Sequence, residues 1–479
     1  MNNLFVFCIG GTGLRVMKSL IMLLASGHDL SGYNVVPVLI DPHKDLDELK
    51  DLNKLLQSYS LIHKAINEIG QNQLSGLEGF FKTPIKSLNE FDGLSRETYD
   101  FDQREDKSFR ELINLEAFED NDINRQLIEL LYSEVNLEKP LSVGFKGSPN
   151  VGCVVLNETI DNSQWFKTFA GCCKENDKVF IISSIFGGTG ASGFPLLVKK
   201  IKDISSQKVN QVPIGALSVL PYFDLSDPDA NSENKEIDSR NFATKTKSAL
   251  SYYERELKAV DYLYYIGDDA KEQYVNDEAS QHNKAHMVEL IGATAIYDFI
   301  QKEKPTEPQF PGIAIEKDEE IMDWDTLGNG YKDYIRALAD LLSFYHVISF
   351  LPHEKWFPLK KSHHLDDKHL YTTDSFRMLQ SFMHDFFIKW LFELNANKRS
   401  FAPFDLNIDV NENPKFETIV KGKVGSSKSI PFGISYYLLE MIEAANKMDK
   451  KETETQNYFR YLIYCSSKAI KKVNAELLK

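Results

Sequence analysis

Two glycine-rich turns constrain this chain more than any other feature. Gly10-Gly11-Thr12-Gly13 follows the apolar run Leu4–Ile9, and Gly187-Gly188-Thr189-Gly190-Ala191-Ser192-Gly193 follows the apolar run Val179–Ile185. After the first turn, Leu14, Met17, Leu20, Ile21 and Leu24 recur at helical spacing until Gly27, a natural helix stop. A strand that turns on glycine into a helix brings unpaired N–H groups and the positive end of a helix dipole close to a ligand, which suits phosphate. Taken alone, the first turn is also compatible with a purely structural tight turn. A dinucleotide fingerprint fits it less well, because Cys8 stands where another glycine is wanted, with Asp41 at the end of the second strand in the place of the ribose acid. The second turn lacks the lysine of a Walker A loop, yet its amides and hydroxyls still form a phosphate cradle. Two such turns in one domain are unexpected for a dinucleotide oxidoreductase.

Around these turns the chain reads as α/β. Val35–Ile40 is a second buried strand ending in Asp41-Pro42, and further strand-like segments stand at Val151–Leu156, Pro213–Val219 and Tyr262–Ile266. Helical stretches lie between them at Phe194–Ile204 and Phe242–Ala259, an alternation expected of a doubly wound Rossmann-type domain. Residues 44–140 read as a helical insertion, with a solvated acidic face at Asp100–Asp122. Beyond residue 300 the pattern is mainly helical, at Tyr331–Leu351, Ser375–Leu394 and two final helices, with a polar, strand-prone stretch at Phe401–Lys428.

The formal net charge of −15 argues against broad binding to nucleic acid or anionic lipid. No signal peptide and no run of eighteen apolar residues is present, so the expectation is a cytoplasmic protein without a membrane span. Five scattered cysteines suit reduced, buried thiols. His363, His364 and His369 with Asp366 and Asp367 lack metal-ligand spacing and read as a solvated loop, so no metal site is expected from protein ligands alone.

The second turn, running on to Phe194-Pro195, resembles the signature loop of the tubulin/FtsZ superfamily, and the match is nearest its divergent bacterial tubulin-like members. Phe186 replaces the first glycine of that signature, and the loop carries one small residue more. Gly10–Gly13 resembles the family's first nucleotide loop, with Arg15 where FtsZ carries asparagine. Gly147-Ser148-Pro149-Asn150 resembles the loop that senses the terminal phosphate. Pro213–Phe223 resembles the strand leading to the ribose loop, with Asp224 as the ribose acid.

The resemblance covers roughly residues 1–300 and implies a guanine-nucleotide-binding domain holding GTP or GDP with Mg²⁺. Its nucleotide contacts would come from Gly10, Gly11, Thr12, Gly13, Arg15, Asp41, Gly147, Ser148, Pro149, Asn150, Gly187, Gly188, Thr189, Gly190, Ala191, Ser192 and Asp224. A central helix over 283–300 would carry Asn283 toward the base, and residues 301–479 would form a divergent, mainly helical C-terminal domain. In the family, subunits associate head to tail and an acidic loop completes the neighbour's active site, which implies a GTPase that self-assembles. The family's acidic motif is missing here; Glu316, Asp318 and Glu319 are the candidates in its place. That departure leaves open a second class of function, a slow or non-hydrolysing nucleotide-dependent scaffold or switch in a multi-protein assembly, with a partner on the C-terminal helical region.

Overall fold

The computed structural model describes residues 1–479 except 31, 44–45, 68–78, 94–98, 100–105, 146, 227–241, 270–271, 276–282, 313–318, 351–369, 408, 410–415, 422–453 and 479. Glu316 and Asp318, the histidines at 363, 364 and 369 with Asp366 and Asp367, and half of the strand-prone stretch at Phe401–Lys428 therefore lie outside the described residues.

The chain opens with β1 (Asn2–Ile9), α1 (Gly10–Ala25), β2 (Tyr33–Ile40) and α2 (Asp47–Asn67). An outlying helix follows, α3 (Ile123–Leu131), then α4 (Pro149–Asn162) and α5 (Gln164–Cys172). The α/β alternation resumes with β3 (Lys178–Ser184), α6 (Gly188–Lys202), β4 (Ile214–Val219) and β5 (Phe223–Ser226). It ends with α7 (Phe242–Glu256), β6 (Tyr262–Ile266), β7 (Glu272–Val275) and α8 (Met287–Ile300).

Five strands form one parallel sheet in the order β2-β1-β3-β4-β6. Residues 84–86 run alongside β2, where Val35 N–H donates to the Pro84 carbonyl and Lys86 N–H donates to the Val35 carbonyl, both at 2.9 Å. Counting that edge segment as the third strand in chain order, the sheet reads 3-2-1-4-5-6, the doubly wound order. Both faces of such a sheet are covered, so its strands are continuous apolar runs: Leu4 to Ile9 and Val179 to Ile182 are all buried. β5 and β7 pair separately as a short parallel ribbon beyond the sheet.

Helix α1 packs on α2 and α8, while α4 packs on α6. The later helices join the first group. α9 (Lys332–Phe350) packs on α1, and α10 (Asp374–Ser381) packs on α2. A π-helical turn at Phe382–Ile388 leads from α10 into α11 (Lys389–Asn395). α12 (Glu454–Leu477) packs on both α2 and α9. α9 is a buried helix, with Leu338, Leu341, Leu342, Phe344 and Val347 fully covered. Within it, Asp340 is buried and accepts a hydrogen bond from Asn474 Nδ2 of α12 at 2.7 Å. Loss of water pushes its carboxyl up to about 7. Among the described residues no helix is long and apolar enough to cross a membrane.

Three local expectations are corrected. Val151–Leu156 is helix, not strand. Pro149 stands in the first turn of α4, and its buried residues Val151, Val155, Leu156 and Ile160 follow helical spacing. Of the strand-prone stretch after Phe401, the described part contributes only β9 (Ser400–Phe401), paired with β8 (Ile321–Met322), and one bridge between Phe404 and Val420. The thiols are all free, but Cys153 is exposed rather than buried, because it lies on the solvent side of α4, and Cys172 is only half-buried.

Candidate functional site

In a doubly wound sheet the ligand crevice lies outside the C-terminal strand ends, where neighbouring connections depart to opposite sides. Here that point falls between β1, which connects toward β2, and β3, which connects toward β4. The two glycine turns are the connections that leave these two strands.

The packing of the turns explains their composition. Gly10 has a φ of 72°, and a β-carbon on it would stand 3.5 Å from the Gly190 nitrogen and 3.6 Å from Thr189 Cβ, so the two turns touch. Gly13 lets α1 lie directly on the sheet; a β-carbon there would stand 2.8 Å from the Cys8 carbonyl carbon and 2.9 Å from the Ile182 oxygen. A β-carbon on Gly188 would stand 2.9 Å from the Gly147 nitrogen. The third loop, Gly147–Asn150, is thereby brought against the second, and Gly147 itself has a φ of 72°.

Three helices begin at these loops. Their N-cap positions, Ile9 for α1, Ser148 for α4 and Gly187 for α6, make no side-chain capping bond, and no acid lies in any of the three first turns. Helix starts of this kind hold unpaired N–H groups and partial positive charge. Two lysines add to it. Lys245 donates from Nζ to the Gly147 carbonyl at 3.0 Å, and the buried Lys139 donates to Ser148 Oγ at 3.1 Å. Ser148 Oγ in turn donates to Asn136 Oδ1 at 3.1 Å.

Not every residue of the signature turn faces the crevice. Ser192 is fully buried, and its hydroxyl donates to the Gly188 carbonyl at 2.7 Å. A β-carbon on Gly152 would stand 2.4 Å from that hydroxyl, so Ser192 serves the close contact of α4 with α6. Ala191 N–H is likewise taken by the Gly187 carbonyl, at 3.2 Å. Thr189 is half-buried at the rim, and Asn150 is exposed on the first turn of α4.

Beside the phosphate-type loops lies a buried charged network centred on Arg15. Its Nε donates to Glu289 Oε1 at 2.7 Å, Nη1 to Glu48 Oε1 at 3.0 Å, and Nη2 to Tyr222 Oη at 3.0 Å and Thr12 Oγ1 at 3.2 Å. Tyr222 Oη donates to Glu289 Oε1 at 2.6 Å. The network joins α1, the first turn of α2, the loop after β4 and the first turn of α8. A β-carbon on Gly11 would stand 3.2 Å from Glu48 Oε2, so this carboxylate lies against the start of α1. Burial pushes the Glu48 carboxyl up, and Arg15 opposes that shift. Asp41, at the end of β2, accepts the His43 N–H at 2.9 Å. Its carboxyl is pushed up to about 7, chiefly by loss of water and further by the charge of Glu48.

Asn283 lies before the central helix rather than within it. α8 begins at Met287, because His286 and Glu289 form a capping box: Val288 N–H donates to His286 Nδ1 at 3.1 Å, and His286 N–H donates to Glu289 Oε2 at 3.0 Å. With Nδ1 accepting, the proton resides on His286 Nε2, which is buried without a hydrogen-bond partner beside the Tyr222 ring, 5.0 Å between centroids. Both side-chain atoms of Asn283 are also buried and unpartnered. Orphan polar groups of this kind are uncommon in folded proteins and call for a ligand or water.

Asp224 is half-buried on β5, level with Gln273 of β7. Glu319 is exposed, and its backbone carbonyl accepts from Arg399 Nη1 at 2.6 Å. Among the described residues no group of three or more His, Cys, Asp or Glu side chains is arranged to hold a metal ion.

The sequence reading missed Glu48, Lys139, Tyr222, Lys245, His286 and Glu289. Only Glu289 carried a local signal, a glutamate three residues past the residue that caps the following helix. No protein-family model matches the chain, and no curated protein is similar enough to count as a relative.

Proposed function

We propose that the chain binds a nucleoside di- or triphosphate, GTP or GDP with Mg²⁺, in the crevice between the three loops, as a tubulin/FtsZ-like nucleotide-binding protein. The observation that carries this reading is the meeting of loops 10–13, 147–150 and 187–190 at the sheet's switch point, each opening an uncapped helix. The fit is supported by the close glycine packing, which brings the three helix starts together, and by Lys139 and Lys245 behind the third loop. Asp41, at the end of β2, and Thr12, in the first turn of α1, are the oxygen donors that would hold a phosphate-bound Mg²⁺, an ion that needs only one or two protein oxygens and would supply charge neutralisation to the phosphates. The unpartnered amide of Asn283 and N–H of His286 are suited to recognising base or ribose.

In the active form of this reading, nucleotide occupancy biases head-to-tail self-association, and an acid of the neighbouring subunit positions the hydrolytic water. A slow-turnover switch or scaffold is the second reading, favoured by the commitment of Arg15 to Glu48, Glu289 and Tyr222, which leaves it little free charge for a transition state.

The test is nucleotide extraction and turnover across a protein concentration series with GTP and ATP, alongside light scattering. GTP-selective turnover rising faster than linearly with concentration, with scattering, is the result expected of a self-activating polymer. Tight GDP or GTP binding with flat turnover selects the switch. Recovery of NAD or FAD, or no nucleotide binding, overturns the proposal.

A further inference from the structure

The backbone at Ala285 is held on both sides by side chains 108 and 112 residues further along the chain. Its N–H donates to Glu393 Oε2 of α11 at 3.1 Å, and its carbonyl accepts from Asn397 Nδ2 at 2.7 Å. Asn397 is buried just past the end of α11, and its Nδ2 also donates to the Glu393 carbonyl at 3.0 Å, which ties the two holding residues together. Glu393 Oε2 accepts in addition from Lys18 Nζ of α1 at 3.3 Å. The next residues extend the grip. Lys398 N–H donates to the Glu272 carboxylate of β7, and Arg399 Nε donates to both oxygens of Asp268, just after β6, at 3.0 and 2.8 Å.

What stands on either side of Ala285 gives this grip its meaning. His286 is fixed independently, by the capping box with Glu289 and by the bond from Val288 N–H to its ring. Asn283 has no such support: both polar atoms of its amide are buried without a partner. An amide that recognises a ligand must be presented in one place, because ordering it only on binding costs affinity, and that presentation comes from the residues behind it. The Lys284 carbonyl accepts from Tyr274 Oη at a long 3.5 Å, so the firm hold on this segment is the pair of bonds at Ala285. The phosphate-type loops are built differently, by glycine packing among themselves.

We propose that Glu393 and Asn397 are positioning residues for the base of the bound nucleotide: they fix the Ala285 backbone so that the Asn283 amide meets the base in one orientation. Neither side chain touches the ligand. The inference rests on the nucleotide reading above and adds two things to it. The base half of the site is completed by residues far beyond the stretch that carries the glycine loops, and this support is felt by the base and not by the phosphates.

The experiment measures the affinity of the full chain for GDP and for inorganic pyrophosphate by calorimetry, in wild type, N283A, N397A, N283A/N397A, E393A and E393Q. N397A and E393A are expected to weaken GDP at least about fivefold and to leave pyrophosphate within about twofold. E393Q keeps an oxygen for the Ala285 N–H and gives up only a part-exposed pair with Lys18, so it is expected within about twofold of wild type for both ligands. In the N283A background N397A is expected to add no further loss, because it acts through that amide. Glu393 is 20% exposed, so E393A keeps the test open should N397A fail to fold. Equal weakening of GDP and pyrophosphate overturns the proposal, since that is what a purely structural role produces. Losses for N283A and N397A that add in full overturn it too, as does wild-type GDP affinity in both N397A and E393A. A wild-type chain that binds no GDP overturns the nucleotide reading and this inference with it, whereas GDP binding that N283A weakens and N397A does not overturns this inference alone.

Discussion

Replacing Arg15 by methionine tests whether the charged network beside the loops is as buried as its geometry implies. Methionine fills much of the alkyl space and removes the cation. Glu289 is then stranded. Its side chain is 1% exposed, and after losing the 2.7 Å bond from Arg15 it keeps only Tyr222 Oη at 2.6 Å and the backbone N–H of His286 at 3.0 Å. Glu48, at 17% exposure, has a route back to water and contributes less. Breaking a buried pair by removing one partner destabilises by about 3–5 kcal/mol, and the partial escape of Glu48 places R15M near the lower end. The double variant R15M/E289Q removes the stranded charge; the single amide oxygen of glutamine keeps the acceptor for the cap, and its NH₂ faces Tyr222 Oη, which can accept from it. It is expected to lie within about 1.5 kcal/mol of wild type, about 1.5–3 kcal/mol more stable than R15M; adding the cost of E289Q alone makes the Arg15–Glu289 coupling at least about 1.5 kcal/mol in a double-mutant cycle. The assay is urea unfolding followed by far-ultraviolet circular dichroism for wild type, both single variants and the double. A coupling below about 0.5 kcal/mol, or a double variant no more stable than R15M, refutes the argument. The side chains would then be solvated, or the loss would be one of packing alone.

Three shorter predictions follow from neighbouring residues. G188A is expected to keep its melting temperature within a few degrees while losing at least about tenfold in affinity for a fluorescent GDP analogue, because its β-carbon, 2.9 Å from the Gly147 nitrogen, displaces the third loop. Unchanged affinity sinks the three-loop site. Asp41 has a folded-state pKa raised to about 7 from the ordinary 3.8, so the folded protein holds that proton more tightly and its contribution to stability is lost as pH rises through about 7. D41N is accordingly expected to match wild type near pH 4 and exceed it at pH 8 in chemical denaturation, and equal stability at both pH values counts against the burial argument. N283A is expected to weaken GTP binding by about tenfold with little effect on inorganic pyrophosphate binding, both read by calorimetry, and equal weakening of the two separates Asn283 from the base.

How legible these features were in the sequence depends on the distance over which each is encoded. β1, β2, β3, β4 and β6 were found within two residues, because a parallel strand covered on both faces is a continuous apolar run whatever its neighbours are. The same rule misread Val151–Leu156. A short run rich in valine fits a buried strand or a buried helix, and the choice was settled by Pro149 and by the packing of Gly152 on Ser192, forty residues away. The three loops were legible because glycine encodes backbone geometry locally: a positive φ at Gly10 and Gly147, and a close approach at Gly13 and Gly188. The Arg15 network was not legible, because its partners lie 33, 207 and 274 residues along the chain and nothing near Arg15 specifies them. The candidate site is thus encoded in two ways, a glycine-loop half written in local backbone chemistry and a side-chain half assembled by tertiary packing. The two halves are expected to fail differently. A substitution between the loops reaches ligand binding first, as G188A tests, and substitutions in the network reach the fold first, as R15M tests. A chain in which both classes of substitution behaved alike would not be built on this division.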